Sequence, residues 1–210
     1  MTSWNSITTN LTTSGLVDGA GNSLTGITIQ VGSSVDTASD ITWTNLPTIA
    51  SGQSLPGVFN SDIVSDNFYV TPRRKIGVRI SGLEAETYGV YAIARGYTSG
   101  ELSQSCDHDV GIDINTLTGS AVTLGPIVTS ASWNVGTSYS YFTATITDPT
   151  DYLTFVSQAN SGNSNQYNGM QGLQVISLSA VPEPSAFAVL AGLTTWGFAA
   201  TRRRRPVGNI

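Results

Sequence analysis

Two side chains capable of nucleophilic or acid–base chemistry, Cys106 and His108, lie two positions apart, and each is the single residue of its type in the chain. A catalytic Cys–His or Ser–His pair needs the base to face its nucleophile and a third group to orient that base. No cationic side chain follows closely in sequence to activate the Cys106 thiol. The segment is therefore interpreted as an ordinary surface loop, with catalysis as the alternative. A single cysteine also excludes an internal disulfide.

Three carboxylates in the same segment could bind a metal ion. Asp107, Asp109 and Asp113 are spaced around Gly111, and alternating carboxylates near a glycine can wrap Ca²⁺, which takes six to eight oxygen ligands. The spacing differs from that of an EF-hand loop. The residues between the carboxylates also alternate as in a strand, which would put Asp113 on its wet face: Val110, Ile112 and Ile114. Calcium binding and a plain strand both remain open.

No other signature of catalysis is present in the sequence. It has no zinc-ligand spacing, P-loop, dinucleotide glycine motif or nucleophile elbow. The chain is therefore predicted to be neither an enzyme nor a cofactor-binding protein. A glycan-acting enzyme stays as an alternative, because two carboxylates at glycosidase separation cannot be recognised from sequence.

Aromatic side chains offer a different chemistry, because flat rings stack on the apolar faces of sugars. Four of them lie in or beside loop-like segments and are the candidates for ligand contact: Trp43, Trp133, Tyr97 and Tyr167. Tyr139 and Tyr141 share a strand face with Thr143, Thr145 and Thr147. If the opposite face, Phe142, Ala144 and Ile146, is core, the tyrosines and threonines are either exposed or packed against another element. The threonine row also allows an ice-binding interpretation, which would require a flat array over several strands.

The elements that position these residues are predicted to be strands. Branched aliphatic residues alternate with charged or small ones from Lys75 to Ser81, and the same period of two continues from Thr87 to Gly96. The short connection between them predicts a hairpin. Further strands are predicted at Leu24–Val31, Asp109–Asn115, Tyr139–Thr147, Tyr152–Ser157 and Gln171–Ser179. Many short strands without helical periodicity predict an all-β antiparallel sandwich or jelly roll.

Charge limits the partners of this β-domain. Residues 1–181 carry five basic side chains against thirteen acidic ones, a net charge of −8. Such a domain repels phosphate backbones, so nucleic acid is not expected as a partner.

The last thirty residues differ in kind from the rest. Pro182-Glu183-Pro184 precedes sixteen uncharged residues, Ala186–Thr201, and then four arginines, Arg202, Arg203, Arg204 and Arg205. As a helix the span would be about 24 Å long, somewhat short of the hydrocarbon core of about 30 Å. Flanking arginines can reach the headgroups and place the C-terminus in the cytoplasm. One transmembrane helix is predicted, and a permanent single-pass anchor is an alternative.

The order of these parts resembles the PEP-CTERM sorting tail of exported bacterial proteins. That resemblance covers residues 181–205 and implies that Pro182, Glu183 and Pro184 are recognised by a membrane transpeptidase of the exosortase type. It also implies cleavage near this motif. Because residues 1–16 lack a basic and then apolar leader, a signal peptide is expected upstream of Met1. A cytoplasmic, tail-anchored protein is the competing interpretation.

Framework segments of the domain resemble galactose-binding-type jelly rolls found in exported PEP-CTERM proteins. They are Leu16–Asn22 with Thr25–Thr28, the stretch from Ile80–Leu83 to Tyr88–Tyr91, and Asn168–Gln174. The resemblance implies an architecture often used for carbohydrate contact and transfers no binding site.

These observations predict three parts: an exported β-sandwich at 1–181, a sorting tail at 182–205 and a short cytoplasmic end at 206–210. The expected role is a structural or adhesive protein of the cell surface or extracellular matrix that contacts exopolysaccharide. Its expected partners are the transpeptidase, the membrane and that polysaccharide.

Overall fold

The structure is a computed structural model that describes residues 12–50, 67–70, 73–94, 105–118, 122–123, 133–160 and 168–179. Within these ranges every regular element is a β-strand, and no helix occurs. The strands in chain order are β1 (Thr12–Thr13), β2 (Leu16–Val17), β3 (Ser23–Leu24), β4 (Thr28–Ser34), β5 (Ile41–Thr42), β6 (Thr48–Ala50), β7 (Asn67–Val70), β8 (Lys75–Ser81), β9 (Thr87–Ile93), β10 (Ser105–Ile112), β11 (Val122–Thr123), β12 (Ser140–Thr145), β13 (Leu153–Asn160), β14 (Asn168–Met170) and β15 (Gly172–Ser177).

The larger sheet has seven strands in the order β1-β4-β8-β13-β10-β11, with β5 paired to β4, and all of its pairs are antiparallel. Side-chain alternation gives this sheet one apolar face, because Ile76, Val78 and Ile80 of β8 all point inward. The neighbouring Lys75, Gly77 and Arg79 point to the outer face. The predicted alternation of this strand is therefore confirmed.

The smaller sheet has three antiparallel strands in the order β12-β9-β15. A second three-stranded sheet, β14-β7-β6, continues from it, because only Gln171 separates β14 from β15. The backbone N–H of Gln171 donates to the carbonyl of Ile93 at 2.8 Å and ties this bend to the end of β9. Strands β2 and β3 form a separate two-stranded ribbon.

The inner faces of the sheets pack together as a sandwich. One buried cluster joins Val31, Val78 and Phe155 of the larger sheet to Ala92 and Ala94 at the end of β9. A second cluster joins Ile80 and Leu153 of the larger sheet to Val90 and Ala144 of the smaller one. Burial of branched aliphatic side chains from both sheets is the main contribution to stability here.

The predicted hairpin between Lys75–Ser81 and Thr87–Gly96 is wrong. The two strands exist, but β8 pairs with β4 and β13, whereas β9 pairs with β12 and β15. At Gly82 the backbone has φ of 79°, and a Cβ there would come within 2.2 Å of the carbonyl oxygen of Gly26. The chain therefore turns away from the larger sheet here and crosses the sandwich, because both strands have an apolar face to bury.

The C-terminal tail, with its predicted transmembrane span Ala186–Thr201, lies outside the described residues. In the part of the chain that the structure describes, no helix is long and apolar enough to cross a membrane.

Candidate functional site

A group of tyrosine rings lies on the outer face of the smaller sheet, outside the hydrophobic core. We call it the tyrosine face, and it comprises Thr87, Gly89, Tyr91 and Ile93 of β9, Tyr139, Tyr141, Thr143 and Thr145 in and just before β12, and Gly172, Gln174 and Ile176 of β15. Phe142, Ala144 and Ile146 pack in the core on the opposite side. Of the two outcomes left open for the Tyr/Thr face of this strand, exposure is the one observed, since Tyr141, Thr143 and Thr145 are exposed and Tyr139 is half-buried.

Three rings form a row on this face. Tyr91 and Tyr141 are directly opposite each other on paired strands, with ring centroids 4.7 Å apart and planes inclined by 44°. Tyr139 continues the row, its centroid 5.8 Å from that of Tyr91 at an inclination of 43°. Tyr141 retains 37% of its surface. Because the rings are tilted, the row forms a ridged apolar surface whose outer side is exposed to solvent.

Gly89 allows Tyr141 to lie low against the sheet. A Cβ at this position would be 3.2 Å from Cε2 and Oη of Tyr141 and 3.2 Å from Cγ1 of Ile176. The ring thus occupies space that a side chain on the central strand would fill. The close approach fixes the tilt of the row.

Hydroxyl and amide groups surround the rings, and none of the outward-facing residues of β9, β12 and β15 is charged. Thr87 and Thr145 share a hydrogen bond between their Oγ1 atoms at 2.9 Å. Thr143 and Gln174 are exposed. The threonine row stays on β12 with Thr87 as its cross-strand neighbour, since the next positions of β9 are Gly89 and Tyr91. Over the described strands this is a mixed face of rings and hydroxyls.

Trp133, one of the predicted contact residues, lies seven positions before the start of β12 and is 44% exposed. The turn after it is closed by the carbonyl of Asn134, which accepts from the backbone N–H of Ser138 at 2.7 Å. Val135 then pairs with Tyr139, so the turn leads directly into the row of tyrosines. Trp133 is therefore an exposed ring at the start of the turn that leads into the row of tyrosines.

Trp43, another predicted contact residue, lies on the opposite side of the sandwich. It follows β5 and packs over Gly32 and Gly77 on the outer face of the larger sheet. The guanidinium carbon of Arg79 lies 4.5 Å from its ring centroid. Trp43 therefore does not contribute to the tyrosine face. The remaining two candidates, Tyr97 and Tyr167, lie outside the described residues.

Two of the three carboxylates considered for calcium have separate hydrogen-bond partners. Asp109 is buried, and its oxygens accept from the N–H of Val110 at 2.9 Å and from the N–H and hydroxyl of Thr118. Asp113 accepts from the N–H of Tyr152 at 2.9 Å. Among the described residues no three acidic, histidine or cysteine side chains are grouped to hold a metal ion. Asp107 shares its strand face with Asp109.

Cys106 and His108 are in the core, so their interpretation as a surface loop is wrong. Both belong to β10, point inward and have no exposed surface. Nε2 of His108 lies 2.8 Å from the carbonyl oxygen of Ala94, which can only accept, so Nε2 carries a hydrogen. Nδ1 lies 2.7 Å from Oγ of Ser140. The signal for a strand was the alternation of Cys106, His108 and Val110.

This histidine connects both sheets, since Ser140 and Ala94 belong to the smaller one. A second buried group lies beside it, with Asn168 at its centre. The Asn168 side chain accepts from Oγ of Ser157 at 2.9 Å and donates to the carbonyls of Ser157 at 2.7 Å and Arg74 at 3.1 Å. Sγ of Cys106 is 3.6 Å from the Asn168 oxygen. The Ser140–His108 pair has the spacing of a catalytic pair, yet it has no access to solvent, and a backbone carbonyl replaces the orienting acid.

Tyr88 lies on the inner side of β9, directly behind the tyrosine face. Burial, reinforced by a hydrogen bond with Glu86, raises the pKa of Tyr88 from 10.0 to about 12. Its hydroxyl donates to the carbonyl of Glu84 at 3.0 Å. Tyr88 is thus a core residue with a satisfied polar end, unlike the tyrosines outside.

No protein family and no curated protein matches the sequence. Solved structures resemble the fold at low similarity. One is the carbohydrate-binding module TmCBM61 in complex with β-1,4-galactotriose, with 11% identity, 71% of this chain and 88% of that chain covered, and a TM-score of 0.35. Another is a family 35 carbohydrate-binding module from an environmental isolate, with 12% identity, 70% and 93% covered, and a TM-score of 0.33.

A third is the enzymatically active domain of tailspike protein 4 of bacteriophage CBA120, with 8% identity, 70% of this chain and 19% of that chain covered, and a TM-score of 0.33. At TM-scores below 0.5 these similarities carry no function over to this chain.

Two residues of the exposed faces were missed in the sequence. Tyr91 was assigned to the face opposite Val90 without being recognised as a contact residue, and its partner Tyr141 lies 50 positions away. Arg79 was interpreted as the polar side of an alternating strand. Tyr91 and Arg79 gain their aromatic neighbours through strand pairing, which cannot be recognised from a local sequence pattern.

Proposed function

We propose that this chain is a non-enzymatic exported protein whose jelly-roll domain binds an uncharged stretch of polysaccharide on the tyrosine face. The observation that carries the proposal is the row Tyr139–Tyr91–Tyr141. Aromatic rings of this size normally contribute to a core. Here they remain on an outer sheet face, although the core behind them is complete without them.

The composition of the face fits a sugar better than a protein partner. A pyranose ring has an apolar C–H face for stacking and a rim of hydroxyls for hydrogen bonds. The tyrosine rings supply the first contact, while Thr143, Thr145 and Gln174 supply the second. Successive pyranose rings are separated by distances of the same order as the 4.7 and 5.8 Å between these rings.

Charge selects the class of sugar. The outward-facing residues of β9, β12 and β15 contain no ionic group, so they offer no partner for a carboxylate or a sulfate. The net charge of −8 over residues 1–181 opposes polyanions at longer range. A neutral polysaccharide segment is therefore the expected ligand, and its binding should depend little on salt.

The proposal of a binding protein rather than an enzyme is supported by where the reactive side chains lie. His108 and Cys106 are closed in the core and are committed to hydrogen bonds within it. On the tyrosine face no acid or base is available for glycosidic bond cleavage.

The export part of the proposal is supported by the tail. Pro182, Glu183 and Pro184 are the proposed recognition element of an exosortase-like transpeptidase, and Ala186–Thr201 the proposed transmembrane helix. The four arginines that follow hold the C-terminus in the cytoplasm. After cleavage the domain is released to the cell surface or matrix, where polysaccharide is available.

Retention of the full chain on insoluble galactan and on host exopolysaccharide tests the binding function. Tyr91→Ala and Tyr141→Ala should each weaken retention about tenfold, equivalent to about 1.4 kcal/mol, because each removes a stacking ring. Val35→Ala, which removes an exposed apolar side chain elsewhere, is the control and should have no effect. Unchanged retention of the Tyr91→Ala/Tyr141→Ala double variant, folded by circular dichroism, would reject the tyrosine face. Turnover of the glycan would instead establish an enzyme.

Mass spectrometry of the protein from its native host tests the sorting. A C-terminus near Pro182 without the arginines is the expected result. An intact Ile210 in the membrane fraction would mean a permanent single-pass anchor.

A further inference from the structure

The outer face of the larger sheet carries a second aromatic group, built around a cation. Arg79 points outward from β8, and its guanidinium carbon lies 4.5 Å from the ring centroid of Trp43 and 4.3 Å from that of Tyr152. We call these three side chains the arginine stack. All three are partly buried, and cation–π contacts of this kind are stronger when water is partly excluded.

The orientation of the guanidinium is fixed by hydrogen bonds. Nε of Arg79 donates to Oε1 of Gln30, its direct cross-strand neighbour, at 2.8 Å. The amide nitrogen of Gln30 donates in turn to the backbone carbonyl of Trp43 at 3.1 Å. Gln30 thus holds both the cation and the strand end that carries the ring.

The residues beneath the Trp43 ring have no side chains, so the ring can pack directly against the backbone. A Cβ on Gly32 would lie 2.9 Å from Cε3 of Trp43, and a Cβ on Gly77 would lie 2.9 Å from Cη2. Two glycines facing each other on β4 and β8 therefore permit the indole to pack against the sheet. The stack is held from below by the sheet and from the side by Gln30.

One edge of this fixed guanidinium is left for a ligand. Among the described residues, Nη1 and Nη2 of Arg79 take part in no hydrogen bond and no ion pair. Neither nitrogen is among the buried polar atoms that lack a partner, so both are accessible to solvent. The domain has thirteen acidic side chains, yet no described carboxylate compensates this charge. A planar Nη1/Nη2 edge held in one orientation matches both oxygens of a carboxylate.

We propose that the arginine stack binds the carboxylate of a single uronic acid unit in the polysaccharide, an inference that rests on the proposed function. The Nη1 and Nη2 groups would donate to the two carboxylate oxygens, and the exposed edges of Trp43 and Tyr152 would border the sugar ring. The negative net charge opposes a run of such units but is screened beyond about 8 Å at physiological salt. The ligand is therefore a mostly neutral glycan with isolated acidic residues.

The test is a titration of the full chain, in non-ionic detergent, with D-glucuronate, followed by the Nε–H signal of Arg79 in ¹⁵N NMR. D-glucuronate should shift this signal, and D-glucose, which has a hydroxymethyl group in place of the carboxylate, should not. Arg79→Lys keeps the charge but removes the planar fork, so it should weaken glucuronate binding at least tenfold by calorimetry. Arg73→Lys, the same substitution at an exposed arginine outside the stack, should leave it unchanged.

Several results would overturn the assignment. They are an unshifted Arg79 signal at saturating glucuronate, an equal shift with glucose, and an equal affinity for acetate, which would mean carboxylate binding without a sugar. The wild-type NMR signal decides even if Arg79→Lys fails to fold.

The two proposals fail separately. Loss of the glucuronate effect with intact galactan retention rejects the arginine stack and leaves the tyrosine face. Glucuronate binding with unchanged retention of the tyrosine variants rejects the tyrosine face as the polysaccharide site.

Discussion

The two outer faces of the sandwich both carry aromatic rings, but they use them differently. On the smaller sheet Tyr91 contacts Tyr139 and Tyr141, and the row stays open to water. On the larger sheet Trp43 and Tyr152 enclose Arg79 and leave one polar edge exposed. The difference shows that the same residue type makes an apolar surface or orients a charge, according to what strand pairing puts next to it.

Glycine makes both arrangements possible, to a different degree. Gly77 and Gly32 lie under the indole, whereas Gly89 alone lies beside Tyr141. The indole of Trp43 therefore lies closer to the sheet backbone than the Tyr141 ring does. This position suits the indole to orienting a cation, whereas the more exposed Tyr141 ring is suited to a ligand surface.

The largest expected effect comes from removing the hydrogen bonds of His108, which connect the two sheets. His108→Ala deletes a side chain that joins β10 to Ser140 and to the carbonyl of Ala94, leaving a cavity and two buried polar groups without partners. Unfolding free energy should fall by about 3 kcal/mol or more. Urea denaturation measures it, and a loss below 1 kcal/mol would contradict the interior role of this histidine.

A matched pair of glycine substitutions compares the faces directly. A Cβ on Gly77 would lie 2.3 Å from Cδ1 of Ile41, so Gly77→Ala should cost about 1–3 kcal/mol and abolish glucuronate binding by displacing Trp43. Gly89→Ala, with its nearest contacts at 3.2 Å, should cost less than about 1 kcal/mol and weaken only polysaccharide retention. Equal costs, or an exchange of the two binding effects, would refute the contrast.

The smallest expected effect concerns the pH dependence of stability and comes from Tyr88, which points inward from β9. Because the folded pKa of Tyr88, about 12, is above its ordinary 10.0, its protonated form stabilises the fold fully below pH 10, and that contribution is lost as pH rises towards 12. Tyr88→Phe should therefore flatten the decrease in stability between pH 10 and 12. Urea denaturation across this pH range measures it, and an equally steep decrease in Tyr88→Phe would contradict the assignment.

Much of the fold could be predicted from the sequence, because alternation is a local property. The strands at Lys75–Ser81 and Thr87–Ile93 and the exposed face of Tyr141 follow from a period of two. Their pairing does not, since the partners of β8 are β4 and β13, far away in the chain. The hairpin was mispredicted for this reason: a short connection was taken as evidence for pairing.

The candidate sites were predicted in part for the same reason. Trp133 and Tyr141 could be identified as exposed rings, but the arginine stack brings together positions 43, 79 and 152, and only the register of three strands shows it. The loop predicted around His108 is strand β10, in which Asp107 and Asp109 flank the histidine. In a strand those neighbours point the other way.

The sealed position of Cys106 has a practical consequence. It is the single thiol of the chain and has no exposed surface, so a thiol-reactive dye can label it only when β10 separates from its surroundings. The labelling rate therefore reports how often the domain opens while it is still folded on average. The unmodified protein contains its own kinetic probe, and a ligand that binds only the folded domain would slow the labelling.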